Sequence, residues 1–554
     1  MRLNLIVAVC DNPAIPRLPF AFANNHVLSP PMRMRMRPAV PALIAYRHAL
    51  PRAGLRQVRF NSSVSSPAPQ PRESPSPGQL PRTIASLLHP DARVPRHGQQ
   101  GGSSNTPESV TIHGWIKSIR KMGRICFAHI TDGSTATPLQ AVLTKTQAAG
   151  LSTGSSVRVI GNWVESGAGS AQKHELRAEE VHLMGAADPN TYPLQKKYQS
   201  PEFLRSLPHL RSRIPGNSAI LQLRSLISSN LTSFFAKKEF VQCYPPIITS
   251  SDCEGAGEVF TVASNEKGQE QFFKSPKYLT VSTQLHLEAL AAALPRVWTL
   301  SPTFRAERSD TYRHLSEFYM LEAEVSFIET LDPLIGLIED MIRGIVSELS
   351  TSRLGQELLE LSGEERAQVE ARWEGLLRST RWKRLTYSSA IEVLQKEVQD
   401  GKATFQYPLE WGVSLQSEHE KYLAALFDGP VFVTDYPKQI KPFYMLPSAT
   451  ASPDSPTVAC FDLLFPTVGE LIGGSLREHR YDELLENMKT HGLVPTDGNM
   501  DEAGLKWYAE LRKWGTVPHG GFGMGFDRLL CYLTAIENIR EVVAFPRWVG
   551  RCDA

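Results

Sequence analysis

The feature that most restricts how this chain can fold is a glycine-rich stretch near its C-terminus, HGGFGMGFDR at residues 519–528. We interpret it as a strand crowded with glycines that feeds a helix over 529–535. Glycine has no Cβ, so a ligand can approach the backbone closely, for example at Gly525. A phosphate at a helix N-terminus with Arg528 beside it is electrostatically favourable. The pattern G-x-x-x-x-G-K-[ST] is absent here, which excludes a Walker A loop.

A second stretch, 303–324, alternates arginines and glutamates. It begins strand-like, passes through a charged loop and returns to a strand-like pattern, which predicts a hairpin. Guanidinium groups match phosphate oxygens, carboxylates can hold them in place, and a phenyl ring can stack on a purine. The candidates of these kinds are Arg305, Glu307, Arg313, His314 and Phe318. The alternative interpretation is a solvated charged hairpin.

Two isolated acids, Asp462 and Glu470, occur in the apolar, strand-like stretch 461–477. Burying a carboxylate is costly unless a partner or a cation offsets its charge. Hard oxygen ligands near a nucleotide favour Mg²⁺. Gly473 in the same stretch permits close backbone approach by a ligand.

Two further segments lie upstream of the hairpin. An apolar stripe with helical spacing over 217–240 predicts a long helix that runs into an extended segment at Pro246. The loop 249–260 is polar, contains glycines and carries Glu254. Taken alone, the stripe is typical of core packing and the loop of an ordinary surface loop.

Residues 108–186 contain five short β-type runs separated by turn residues, which predicts a small closed barrel such as an OB-fold. Barrels of this kind bind single-stranded nucleic acid by stacking bases on aromatic rings beside basic residues. Arg120 belongs to a basic cluster on the first strand and turn, and Phe127 and Gln140 lie on the next two strands. A solvated turn and a core phenylalanine are the alternatives.

The N-terminal segment has a different composition. Residues 1–60 hold nine arginines and a single acid, Asp11. Arginine-rich, serine-rich and acid-poor composition is typical of an organelle transit peptide, so we predict one over 1–60, with a disordered basic tail as the alternative. Residues 61–107 are rich in proline, serine and glycine and predict a disordered linker.

The whole chain of 554 residues is long enough for two to four domains. Its apolar runs are too short for a membrane span. The seven cysteines form no C-x-x-C pair, which argues against a structural zinc site and favours a reducing compartment.

Together these stretches resemble the class II aminoacyl-tRNA synthetases of the aspartate, asparagine and lysine subgroup. The helix 217–240 is similar to motif 1, FRAERSDTYRHLSEF at 304–318 to motif 2, and GGFGMGFDR at 520–528 to motif 3. The resemblance implies an α+β protein with an N-terminal OB-fold anticodon-binding domain at 108–186 and a hinge at 187–216. A catalytic domain at 217–554 would have an antiparallel sheet flanked by helices.

Within that subgroup the sequence is most similar to the asparagine-specific enzymes, mitochondrial type. Aspartate enzymes carry a Gln-Leu-x-Lys tetrad, whereas this chain has Leu287 in the last position. A neutral carboxamide does not need that second cation. By resemblance, Arg477 would meet the substrate's side-chain oxygen, and Glu322 would accept from the amide nitrogen and repel a carboxylate.

The resemblance also implies a reaction and its site residues. Asparagine and ATP would form an adenylate, whose acyl group then passes to tRNA(Asn). The enzyme would be a homodimer joined through motif 1 and would act in the mitochondrial matrix. Arg305 and Arg528 would be catalytic. ATP would be held by Arg305, Glu307, Arg313, His314, Phe318, Glu470, Gly525 and Arg528, Mg²⁺ by Asp462 and Glu470, asparagine by Glu254, Gln284, Glu322, Gly473 and Arg477, and the anticodon by Arg120, Phe127 and Gln140.

Two alternatives stay open. The first is an aspartyl or non-discriminating enzyme, which would charge both tRNAs. The second is a non-catalytic tRNA-binding paralogue, which would lack the phosphate-binding and metal-binding residues. Residues 350–385 match none of the motifs and are predicted to be a mostly helical insertion.

Overall fold

The computed structural model describes residues 6–8, 80–89, 108–167, 169, 172–250, 258–263, 272–378, 381–494 and 504–554. Apart from the three-residue strand β1, Ile6–Ala8, the predicted transit peptide lies outside these ranges. Within the described part of the chain, no helix combines the length and apolar character needed to cross a bilayer.

A closed five-stranded barrel forms the first part of the chain, as the sequence predicts. Inward-facing positions alternate with half-buried ones, most clearly on the second of its strands. The strands pair in the order β2-β3-β4-β6-β5, with bounds β2 Glu108–Met122, β3 Ile125–Thr131, β4 Leu139–Thr144, β5 Ser156–Glu165 and β6 His174–Gly185.

Strand β2, with 15 residues, is longer than the short β-type runs that the sequence predicts. It continues to Met122 because Arg120–Met122 pairs with the start of β3, and the chain reverses at Gly123, where φ is +60°. The basic cluster predicted on the first strand and its turn therefore lies largely on the strand itself.

A short helix, α1 at Ile84–Leu88, occurs inside the segment predicted to be a disordered linker. Ile84 and Leu87 are buried against the barrel core, and the Ile84 and Ala85 amides donate to Asp132 and Ser134 of the β3–β4 loop. The linker prediction does not hold for these residues, because composition does not register two apolar side chains with a site to fill.

The larger, C-terminal part of the chain is built on an eight-stranded sheet with the order β13-β14-β15-β16-β17-β12-β11-β7. Its central strands are antiparallel, while β13 with β14 and β11 with β7 are parallel. Their bounds are β7 Val241–Gln242, β11 Arg296–Phe304, β12 Glu317–Ser326, β13 Lys383–Thr386, β14 Val431–Pro437, β15 Thr457–Phe465, β16 Gly469–Leu476 and β17 His519–Gly525.

A second, small sheet has the strand order β1-β9-β10-β8. Its other strands are β8 Ile248–Thr249, β9 Thr261–Ala263 and β10 Tyr278–Leu279.

Helices cover the sheet, and two large apolar clusters fill the space between them. The helices after α1 are α2 Pro201–Arg205, α3 Pro208–Arg211, α4 Pro215–Lys237, α5 Gln284–Ala291, α6 Asp332–Thr351, α7 Arg353–Leu361, α8 Arg366–Leu377, α9 Tyr387–Gln399, α10 Ser417–Leu426, α11 Tyr481–Thr490, α12 Lys506–Glu510 and α13 Phe526–Thr534. The first cluster packs α4, α6 and α13 against the sheet, and the second contains residues of α9, α10, α11 and α12.

The helical predictions compare closely with these bounds. The helix predicted at 217–240 is α4, and its buried stripe is Ile220, Leu223, Ile227, Leu231 and Phe235. The segment 350–385 is mostly helical, as predicted, since it holds α7 and α8. Helix α13 begins three residues earlier than predicted, which places Arg528 in its first turn.

Candidate active site

One cavity of about 140 Å³ collects residues from three separate stretches of the sequence. It lies over β12, β16 and β17, where the glycines of β17 leave the sheet surface open. All eight residues predicted to bind ATP line this cavity, namely Arg305, Glu307, Arg313, His314, Phe318, Glu470, Gly525 and Arg528.

The hairpin side of the cavity follows β11 and leads into β12. Arg305 comes directly after β11, and its guanidinium carbon lies 5.7 Å from the ring centre of Phe318. Glu307 stands between Arg305 at 3.9 Å and the His314 imidazole at 3.3 Å. Burial lowers the pKa of His314, and Glu307 only partly opposes this shift. The imidazole is therefore mainly neutral at neutral pH, and the arginines supply the positive charge.

The opposite wall is the N-terminus of α13. Gly525 is its N-cap, and Arg528 donates a 2.9 Å hydrogen bond to the Glu470 carbonyl. Arg313 crosses from the hairpin, where it donates to the Ser417 hydroxyl and, at 2.6 Å, to the Val468 carbonyl. These neutral acceptors hold the guanidinium groups in place without cancelling their charge, which suits a polyanionic ligand.

The two predicted metal ligands converge above the sheet. A Cβ on Gly473 would lie 3.1 Å from a Glu470 carboxylate oxygen and 3.5 Å from one of Asp462. Burial and then Asp462 raise the pKa of Glu470, and Lys441 pairs with Asp462 at 2.7 Å. A hard divalent cation would relieve this crowding of buried negative charge, so the donor set fits Mg²⁺.

A third acid, Glu420 on α10, was not predicted. Its carboxylate accepts from the Glu470 amide at 3.1 Å, and burial followed by the charge of Glu470 raises its pKa to about 7. Its sequence signal, an acid in the charged helix start SEHEKY, resembles any solvated helix. Among the described residues, no group of three or more potential ligands has a geometry that would hold a metal by itself.

A second polar centre surrounds Arg477 at the end of β16. Its guanidinium makes a two-pronged contact with the Glu324 carboxylate, at 3.1 and 2.9 Å, and lies 3.9 Å from Glu288. Glu288 pairs in turn with Arg512 at 2.5 Å and with His519 at 3.1 Å. Burial alone would raise the pKa of Glu288, but Arg512, His519 and Arg477 together hold it below its ordinary value.

Glu322 is placed differently from Glu324. Its carboxylate accepts from the Ser282 hydroxyl at 2.5 Å and from the amide and hydroxyl of Thr283, so it stabilises the start of α5. The acid in direct contact with Arg477 is Glu324, two residues further along β12. The substrate contact predicted for Glu322 stays a prediction.

The charge comparison made for Leu287 needs this side chain to lie at the Arg477 centre, but its contacts are elsewhere. Leu287 is 1% exposed and packs with Cys243, Ala291 and Val297. The α5 side chain that reaches Arg477 is Glu288. Gln284 donates to Glu288 at 3.0 Å and so belongs to this centre, while Glu254 lies outside the described residues.

The three predicted anticodon residues share one outer face of the barrel. Arg120 pairs directly with Phe127 across β2 and β3. His129, two positions after Phe127 on the same face, pairs with Gln140 on β4. Arg120 is exposed and the Phe127 ring is half-buried, so a base could stack there.

Comparison with known proteins identifies the scaffold. The family described as "tRNA synthetases class II (D, K and N)" matches residues 200–549, and an "OB-fold nucleic acid binding domain" matches 110–184. The chain is 44% identical to the mitochondrial asparagine–tRNA ligase of Schizosaccharomyces pombe over 85% of this chain and 98% of that one. The chain is a class II asparagine–tRNA ligase.

Other relatives agree with this assignment. The mitochondrial asparagine–tRNA ligase of Saccharomyces cerevisiae is 45% identical over 79% of this chain and 92% of its own. The asparaginyl-tRNA synthetase of Pyrococcus horikoshii, crystallised with asparaginyl-adenylate, superposes with a TM-score of 0.69 at 30% identity. That match covers 80% of this chain and 96% of the other.

Seen as a class II asparagine–tRNA ligase, the chain has functional candidates that sequence reasoning missed. Glu324 was visible in the motif 2 hairpin but had no assigned partner. Glu288 and Arg512 are a buried ion pair whose members are 224 positions apart. Their sequence contexts, LHLEAL and AELRKW, are ordinary amphipathic helix patterns, so only the fold reveals the pairing.

Proposed function

We propose that this enzyme ligates asparagine to tRNA(Asn) through an asparaginyl-adenylate, for mitochondrial translation. The observation that carries the proposal is the single cavity lined by all eight candidate nucleotide residues, adjacent across β16 and β17 to the Arg477 centre. The choice of amino acid is supported by the mitochondrial asparagine–tRNA ligases that this chain matches over 98% and 92% of their own lengths.

The reaction needs no nucleophilic side chain. The asparagine α-carboxylate attacks the ATP α-phosphorus, pyrophosphate leaves, and the terminal-adenosine 3′-hydroxyl of the tRNA then takes the acyl group. Arg305 would neutralise the charge that develops on the α-phosphate, Phe318 would stack under adenine and Arg528 would hold the γ-phosphate. Catalysis would thus consist of positioning and electrostatic stabilisation.

The remaining ATP contacts follow from the cavity lining. Glu307, Arg313 and His314 would hold the outer groups of ATP, and Gly525 leaves the α13 N-terminus open to phosphate. Asp462 and Glu470 would hold Mg²⁺, which supplies charge neutralisation along the phosphates when it is bound.

Charge balance at the Arg477 centre favours a neutral substrate side chain. Arg477 and Arg512 face Glu324 and Glu288, so the formal charges of the four groups sum to zero when both carboxylates are ionised. Burial raises the pKa of Glu324, and the adjacent Arg477 opposes this shift. A carboxamide adds no charge there, whereas a carboxylate would add an unpaired buried anion. This balance replaces the argument from Leu287. Gln284 borders this centre through its hydrogen bond to Glu288, and Gly473 lies beside Glu470 and Asp462. Glu254 and Glu322 complete the proposed asparagine contacts.

The barrel face formed by Arg120, Phe127 and Gln140 is proposed to read the anticodon. The Gln140 amide donates to Glu175 at 3.2 Å, which fixes its orientation beside the Phe127 ring. A base stacked on Phe127 would meet the Gln140 amide edge, with Arg120 available for a phosphate.

Homodimerisation through motif 1 has support at the β7 edge of the main sheet. Large apolar side chains are exposed around it, with Val241 45%, Tyr244 83% and Phe327 71% exposed. Such a cluster of apolar groups at a sheet edge is typical of a protein–protein interface. Analytical ultracentrifugation of the wild type and of Tyr244→Asp tests it, and a monomeric wild type would contradict it.

Localisation to the mitochondrial matrix is proposed from the arginine-rich, acid-poor composition of the N-terminal segment and from the mitochondrial relatives. N-terminal sequencing of the organellar protein is expected to find residues 1–60 removed. Recovery of that segment intact would contradict the transit-peptide proposal.

The main experiment is amino-acid-dependent ATP–pyrophosphate exchange with asparagine and aspartate side by side. Exchange is expected with asparagine and at most weakly with aspartate. Comparable rates would indicate a non-discriminating enzyme, and exchange with neither would indicate a non-catalytic paralogue.

A further inference from the structure

A second cavity, of about 250 Å³, lies behind the proposed ATP cavity. The two share Arg313, Arg528 and Ile539 in their linings, so the same pair of guanidinium groups borders both. The new walls come from α8, which contributes Arg372, and from α10, which contributes Lys421.

This second cavity is strongly basic. Arg313, Arg372, Lys421 and Arg528 line it, and the acid among its lining residues is the exposed Glu537. Within the described residues, no carboxylate lies within ion-pair distance of any of the four cations. Other buried arginines of the same domain do have carboxylate partners, as Arg477 has Glu324.

The contacts of these cations are to uncharged groups. Arg372 donates at 2.9 Å to the Tyr532 carbonyl, and Arg313 and Arg528 donate to carbonyls of β16 and the loop before it. Lys421 faces the Tyr312 ring at 6.0 Å. Burial lowers the pKa of Arg372 and of Arg313, which marks partly desolvated positive charge. The neighbouring Arg528 lowers the pKa of Arg313 further, and the more distant Glu420 and Glu470 oppose this only in part.

We infer that this second cavity receives the pyrophosphate leaving group, with Arg372 and Lys421 as its binding residues. The inference rests on the proposed function. As the carboxylate oxygen bonds to the α-phosphorus, the bond from that phosphorus to the bridging oxygen breaks, and its electron pair leaves with pyrophosphate. Because Arg313 and Arg528 border both cavities, the anion can pass to Arg372 and Lys421 without losing all its cationic contacts.

A backbone phosphate of tRNA is also an oxyanion that this second cavity could bind, but the observations favour pyrophosphate. The shared wall of Arg313 and Arg528 connects this cavity to the triphosphate, which is where pyrophosphate is released. Pyrophosphate binding here would affect the KM for pyrophosphate, whereas binding of a tRNA phosphate would affect the KM for tRNA.

The test uses Arg372→Gln and Lys421→Gln in the full enzyme. In asparagine-dependent exchange, each is expected to raise the KM for pyrophosphate about fivefold, as for loss of one partly exposed charge-assisted contact. The KM values for ATP and asparagine are expected to change less than about twofold, since neither residue lines the ATP cavity. Lys421→Gln removes no hydrogen bond seen in the structure, so its result does not depend on folding effects.

Arg366→Gln is the matched control, since Arg366 lies on α8 but is exposed and pairs with Glu370. It is expected to behave like the wild type. An unchanged pyrophosphate KM in both test variants would overturn the inference, as would a rise in the tRNA KM alone, which would indicate a tRNA phosphate. Failure of exchange in the wild type would instead overturn the proposed function.

Discussion

The hydroxyl of Thr135, in the barrel loop between β3 and β4, donates a 2.8 Å hydrogen bond to the carboxylate of Glu357 on α7, 222 residues further along the chain. The other oxygen of Glu357 accepts from the Ala136 amide at 3.1 Å. The Glu357 side chain is 5% exposed and also pairs with Arg353. The helical segment that matched no motif thus ties the anticodon-binding barrel to the catalytic domain.

Loss of the Glu357 contact with the barrel should weaken tRNA charging while leaving asparagine activation nearly unchanged. Glu357→Ala leaves the Thr135 and Ala136 donors without a partner, and we expect the KM for tRNA to rise about three- to tenfold. Asparagine-dependent exchange should stay within about twofold because it does not need the barrel. The control is Glu360→Ala, an exposed acid on the same helix. Equal losses in both assays would mean general destabilisation.

The arginines proposed to bind phosphate give a second prediction. Arg305→Ala and Arg528→Ala should abolish ATP–pyrophosphate exchange while the circular dichroism spectrum and dimer content stay unchanged. Each removes a guanidinium group that is proposed to stabilise the charge developing on the phosphates. Arg378→Ala, which breaks an exposed pair with Asp428, should keep full activity. Wild-type exchange in either cavity variant would refute its role.

The buried Glu288–Arg512 pair gives a pH-dependent prediction. Glu288→Gln leaves Arg512 buried without its anion, which should cost about 3 kcal/mol of unfolding free energy at pH 7. Because the folded-state pKa of Glu288 is lowered, its stabilisation is present above its unfolded value of 4.5 and is lost as the pH falls below it.

Denaturant unfolding at several pH values checks this. The difference between the wild type and Glu288→Gln should shrink as the pH is lowered below 4.5. Glu348→Gln, an exposed acid on α6, should show no such difference. A difference independent of pH would show that the ionised form of Glu288 is not what stabilises the fold.

Leu287→Lys tests the corrected view of α5. Since Leu287 packs in an apolar cluster, a lysine there should lower the unfolding free energy by about 3 kcal/mol and should not increase aspartate activation. The matched control is Leu290→Lys on the same helix, where the leucine is 37% exposed and the change should be nearly neutral. A gain in aspartate-dependent exchange would restore the original charge argument.

The sequence predicted most of the fold because strands and helices here carry local signals. The local backbone is restricted by the alternation of buried and exposed side chains in the barrel strands, by the apolar stripe of α4 and by the glycines of β17. The grouping of the candidate nucleotide residues around one cavity was also predictable, since they cluster in three short motifs. The Arg477 centre was not, because Glu288, Glu324 and Arg512 meet only through tertiary packing. Helix α1 was hidden by its proline- and serine-rich surroundings.

The glycines of β17 have a consequence for how the enzyme can vary. A Cβ at Gly521 would collide with a Glu324 carboxylate oxygen, and Gly523 and Gly525 on the same strand line the cavity proposed for ATP. One strand therefore makes room for the Glu324–Arg477 ion pair and for the proposed triphosphate site. Backbone changes in this strand would alter both substrate affinities together, so selection on one substrate also constrains the other.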